Sequence, residues 1–150
     1  MSEARIIALQ SRQIGSLFAL GSAALLITGV QPILIGTLIE SRFAGLQGAG
    51  YLATAETIAL WAGIALATAF FPTNAFRRIG ALALIILAGA NAASAVAPSF
   101  EILIFCRLFT GFAGGVLLWI VTSMIVRTPR PDRISGYFMA GYTLVQSLTV

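Results

Sequence analysis

The sequence contains no histidine and no lysine, a single cysteine, and few charges of either sign. Each shortage excludes something. Without histidine, proton exchange near neutral pH has to rest on a carboxylate, and His-rich zinc chemistry is ruled out. The lone Cys106 permits neither an internal disulfide nor a multi-cysteine metal site, so no metal or other cofactor is expected. No serine or cysteine has a histidine to activate it, and no glycine-rich loop carries the lysine and hydroxyl of a phosphate-binding loop. The chain therefore does not read as an enzyme. Charged residues make up 9% of the 150, where a soluble domain carries about a quarter.

What is present is apolar. Hydrophobic residues account for 59% of the chain and the mean hydropathy is +0.97. This composition predicts an all-α membrane protein, a multi-spanning bundle of transmembrane helices in a lipid bilayer. The first apolar run is too long for a signal-peptide core and lacks a small-residue cleavage site. All nine basic residues are arginines, giving a net charge of +4. All but one lie outside the apolar runs, mostly in short loops, which makes them topology signals and not a nucleic-acid-binding face.

The runs predict helices over about 14–39, 51–71, 79–97, 100–126 and 134–150, four complete spans and the start of a fifth. Gln31 and Pro32 interrupt the first span, where the proline should kink it and free backbone carbonyls. The segment AGLQGAG (44–50) reads as a glycine-rich loop, and Pro72 and Pro98 close the second and third spans. The chain stops inside an apolar run, which reads as a fragment or truncated form of a longer protein. Seven arginines fall before the first span and in the second and fourth connections, against one (Arg42) in the first and none in the third. That bias places the N-terminus in the cytoplasm.

Arg107 is the remaining arginine, and it lies inside the fourth span. An arginine there costs roughly 2.5–3.5 kcal/mol on the insertion scale, which makes it a functional-site hypothesis. Glu56 in the second span sits at matching depth. So do Gln31, Asn91 and Gln146, all roughly 9–12 Å below the outer surface at the rise of a helix. Glu56 and Arg107 are the candidates for a proton or coupling site, with a static, register-fixing ion pair as the plain alternative. Gln31, Tyr142, Thr143 and Gln146 are the candidates for a substrate cavity, the last three on a polar stripe of the fifth span. Gly111, Gly114 and Gly115 share the face of Arg107. The Gly111–Gly115 pair either admits a neighbouring backbone or leaves an open groove, read here as a cavity wall. Asn91 reads as interhelical glue, Cys106 as inert packing, and Trp61 and Trp119 as packing residues. Glu40 and Glu101 read as solvated helix ends.

Helix-forming residues 103–115 carry a resemblance. Leu103, Arg107, Thr110, Gly111, Ala113, Gly114 and Gly115 are similar to the fourth-helix motif of the major facilitator superfamily, in which a glutamine often stands where this chain has Thr110. The layout also resembles that family's N-terminal half, with a cytoplasmic start, a short outer loop and a basic second connection holding Arg77, Arg78 and Gly80. The connection departs from the family's pattern in lacking an acidic residue, and the glycine-proline signature of drug–proton antiporters is not visible in the fifth span. The resemblance implies part of the N-terminal six-helix half of a transporter, with a second six-helix half elsewhere in a longer chain and a small-molecule substrate between them. It also implies a bacterial inner (plasma) membrane location and alternating access, with proton coupling as the expectation drawn from Glu56 and Arg107. Two readings stand beside it. One is a non-transporting membrane subunit or scaffold that associates through its glycine faces. The other is a small dimeric exporter, against which the started fifth span argues.

Overall fold

A computed structural model of the chain describes Gly15, Gly21 and residues 45–149; for Leu46, Tyr142, Val145, Gln146, Leu148 and Thr149 it describes the backbone alone. Gly15 and Gly21 are helical. Every long element among the described residues is an α-helix: α1 (Leu46–Phe70), α2 (Phe76–Ala95), α3 (Phe100–Val126) and α4 (Pro131–Thr149). They correspond to the second to fifth predicted spans. A single 3-10 turn, Thr73–Ala75, joins α1 to α2.

Three segments, Gln47–Phe70, Thr73–Ala95 and Phe100–Val126, are long and apolar enough to cross a membrane. Their exposed faces agree with that. Ile58, Trp61, Leu66 and Phe70 on α1, Leu82, Ile85 and Ile86 on α2, and Phe105 and Phe109 on α3 all point outward. The hydroxyls among them are closed internally. Thr54, Thr57 and Thr68 donate to the carbonyls of Gly50, Ala53 and Ile64, four residues back. A hydroxyl facing lipid has no water to bond, so the helix's own carbonyl takes it. These features are compatible with an integral membrane protein.

Three helix starts differ from the sequence reading, and α2 is one of them, beginning at Phe76 where 79 is predicted. α1 begins at Leu46 within the supposed glycine loop, with Gly45 as its N-cap, and Ala49 is already buried. An apolar surrounding favours closing backbone hydrogen bonds over the modest cost of glycine in a helix. α4 begins at Pro131 because proline fits the first helical position, where its missing N–H is not needed. α4 is not among the helices apolar enough to span: besides Asp132 and Arg133 in its first turn, its described residues include many Gly, Ser, Thr and Tyr. α3 starts where predicted, with the Ser99 hydroxyl accepting from the Ile102 N–H.

α3 is the hub. It packs on α1 along one side and on α2 along the other, while α1 and α2 do not pack on each other despite their short link. The α1 face is a stripe of Leu52, Glu56, Ala59, Gly63 and Ala67, at three- and four-residue spacing. A Cβ on Gly111 would fall on the Glu56 carbonyl, one on Gly115 on the Leu60 carbonyl, and one on Gly63 on the Phe112 carbonyl. The two backbones therefore touch. Because Glu56 meets Gly111 and Leu60 meets Gly115, α1 and α3 run in the same direction. On the other side, Ala83 and Leu87 of α2 join Ala113, Val116, Leu117 and Ile120 of α3 in a dry core. α4 adds Phe138, which packs with Val121 and Ile125, and against whose ring Gly21 is seated.

The turn between α1 and α2 is held down by aromatics. The rings of Phe71 and Phe76 meet Trp119 edge-on, at centroid distances of 6.1 and 5.2 Å. The Arg127 guanidinium lies 5.6 Å above the Phe76 ring. Each such pair contributes about 0.5–1.5 kcal/mol beyond its buried area. Trp119 is thus a packing residue, at 7% exposure, but Trp61 is not: it is 64% exposed on the outer face of α1. A tryptophan on an apolar span can face lipid as readily as protein, and the sequence does not separate the two. Asn91 likewise differs from expectation, its amide donating to Leu87 of its own helix at 2.9 Å.

Candidate functional site

The α1–α3 interface closes over three buried polar side chains. Glu56 is 3% exposed, Arg107 8% and Thr110 0%. The stripe that carries Ala59, Gly63 and Ala67 brings Glu56 onto α3, and the glycine face of α3 carries Arg107 one turn before Gly111. Small residues below the pair draw the backbones together. The charged pair then sits largely shielded from solvent between the two helices.

The geometry divides the interactions unequally. Arg107 Nη1 lies 3.7 Å from Glu56 Oε1, an ion pair but longer than a hydrogen bond. The short bond goes to Thr110, whose hydroxyl lies 3.0 Å from the same Oε1 and 2.9 Å from the Arg107 carbonyl. A hydroxyl has one proton and two lone-pair sites. With Glu56 ionised, Thr110 donates to its carboxylate. With Glu56 protonated, the carboxyl donates to Thr110, whose own proton turns to the Arg107 carbonyl. Either protonation state leaves the hydroxyl bonded. Arg107 Nε, meanwhile, is buried and has no acceptor among the described residues. An unspent guanidinium donor in a dry site is a place for an anionic group.

The sequence-predicted residues divide as follows. Glu56 and Arg107 are brought together. Gly111 and Gly115 lie directly beneath them, and their groove is filled by the backbone of α1, so it is not open space; Gly114 is buried in the same stretch. Arg77 and Arg78 are exposed in the first turn of α2, far along the bundle from the pair. Thr143 is exposed and donates to the Met139 carbonyl of its own helix at 2.9 Å. The side chains of Tyr142 and Gln146, and all of Gln31, lie outside the described residues. Among the described residues no group of three metal-ligating side chains converges.

Thr110 belongs to the sequence motif without a role assigned to it there. Its spacing was the available signal, since a residue three positions after Arg107 lies on the same helical face. The Ala59–Gly63–Ala67 stripe was also passed over, though a small residue at every fourth position is a legible close-packing pattern.

No protein-family model, curated protein or solved structure matches the chain.

Proposed function

We propose that the chain is part of a secondary active transporter of small organic solutes that works by alternating access and is coupled to protons. In this reading it is a major-facilitator-like N-terminal half with a cytoplasmic N-terminus in a bacterial inner membrane. A second six-helix half would complete the cavity. The observation that carries the proposal is the buried Glu56–Arg107–Thr110 cluster. A carboxylate, an arginine and a hydroxyl inside a span long enough to cross a membrane are costly to place there, and such groups mark ion and substrate pathways. Thr110 supplies a bonded geometry for both protonation states of Glu56, which a proton-coupled cycle requires. Arg107 supplies the counter-charge and a spare donor.

The scaffold reading needs glycine faces free to receive a partner. Gly111 and Gly115 are already occupied by α1, which weighs against it.

The test is made on the full chain reconstituted in vesicles with a pH-sensitive dye inside, challenged with panels of sugars, organic acids, amino acids and cationic drugs. A solute that drives proton movement with the unaltered protein should drive none with Glu56→Gln or Arg107→Ala, while both variants still insert. Unchanged gradient-driven flux through Arg107→Ala rules out the coupling role.

A further inference from the structure

Because α1 and α2 flank α3 without touching each other, an apolar groove remains beside α3 near the arginine-bearing end of the bundle. Its volume is about 320 Å³. Ile79, Leu82 and Ile86 form one wall, Phe71 and Phe112 the other, and Ala83 and Val116 lie at its floor. A cavity with so apolar a lining does not hold water well, since water needs two or more polar partners. It is open along one side, so an apolar group can enter it.

The helix end next to the groove indicates what that is. Arg77 and Arg78 stand in the first turn of α2, immediately before Ile79, and both are exposed. Neither forms an ion pair among the described residues. Arg127, Arg130 and Arg133 lie at the same end, where Asp132 is the sole acid among the described residues. From Ile79 to Ile86 the wall runs seven residues, about 10 Å at the rise of a helix, or roughly two-thirds of one leaflet's 15 Å of hydrocarbon. Exposed cationic side chains in the helix turn next to the groove, and an apolar channel of that depth, match a headgroup phosphate and one acyl chain. Basic pockets between spanning helices are where anionic lipid headgroups settle.

We propose that this groove is a binding site for an anionic phospholipid, one acyl chain lying over Ala83 and Val116 and the phosphate held by Arg77 and Arg78. The proposal does not depend on transport. A second copy of the chain or a neighbouring helix would fill the apolar channel but would leave the two arginines without a counter-charge.

Trp119 supplies the readout, because its ring packs against Phe71 in the groove wall. Trp61→Phe removes the other tryptophan, which is exposed on a different face. The full chain carrying that change is placed in phosphatidylcholine vesicles with increasing fractions of brominated phosphatidylglycerol or brominated phosphatidylcholine. Trp119 should be half-quenched at a roughly thirtyfold lower fraction of the anionic lipid, in line with two arginines near the surface at about 1 kcal/mol each. Arg77→Gln with Arg78→Gln should erase that preference. Ala83→Leu, which fills the floor, should lower quenching by both lipids. Equal quenching curves for the two headgroups would overturn the proposal. So would an Ala83→Leu variant that inserts and quenches like the parent. Absence of quenching by either lipid, together with a cross-linked dimer, would assign the groove to a second copy instead.

Discussion

At Thr110 a single hydroxyl proton faces two acceptors, the Glu56 carboxylate and the Arg107 carbonyl, at nearly equal distances. Valine matches the shape of threonine but can neither donate nor accept. Thr110→Val should therefore cost about 1–3 kcal/mol of stability, because it strips a bond from a buried carboxylate. It should also remove proton-coupled flux. Thr110→Ser keeps the hydroxyl and should retain most of both. Thermal unfolding in detergent and dye-reported proton flux measure the two effects separately. If valine and serine variants behave alike, the hydroxyl has no part in the cycle. The Glu56–Arg107 pair itself was readable without a structure, because opposite charges in two apolar spans at one depth have few other ways to be tolerated. The 3.7 Å spacing between them was not. It depends on how closely two backbones approach, and that is fixed by glycines on the next turn.

Those glycines act at the scale of the helix pair. In a lipid environment helices gain nothing from hiding apolar surface from one another, so close backbone packing has to hold α1 and α3 together. At Gly115 a side chain would meet the Leu60 carbonyl, which belongs to a helix and cannot rotate away. Gly115→Leu should separate the helices and destabilise the protein by at least the 1–3 kcal/mol typical of overpacking. Gly89, also mid-helix but with open space around it, is the internal control. Gly89→Ala should stabilise by about 0.5–1 kcal/mol through helix propensity alone. Unfolding midpoints in graded denaturing detergent compare the two, and equal effects would mean that the α1–α3 contact is not tight. The element boundaries follow the same division between local and tertiary causes. α3 was legible end to end because its apolar run holds Arg107 as its one interior charge and Pro98 closes the span before it. The start of α1 was misread because Gly45, Gly48 and Gly50 signal a loop by local preference, whereas Ala49 and Leu52 are drawn into helix by packing.

On the scale of the whole bundle, the described helices have two unlike ends. Arg77, Arg78, Arg127, Arg130 and Arg133 gather at one, whereas the turn 96–99 between α2 and α3 at the other carries no charge. Such asymmetry was evident from the sequence, because charge in loops needs no tertiary information. The order in which helices pack was not, since α1 and α2 are joined by a short link and yet α3 lies between them. A short link makes neighbours of two helices only if their small-residue faces match. Here the glycine face of α3 matches α1, and its Val116–Ile120 face matches α2. If α3 crosses the membrane with its arginine-bearing end in the cytoplasm, reagent access should reverse along it. In a Cys106→Ser background, a membrane-impermeant thiol reagent applied to intact cells should label Val96→Cys, which is exposed beside the uncharged turn. It should leave Arg130→Cys untouched, and inverted vesicles should give the opposite pattern. Labelling of both positions from the same side would mean that α3 does not span. Labelling of Arg130→Cys from outside alone would invert the orientation and, with it, the leaflet that the lipid groove faces.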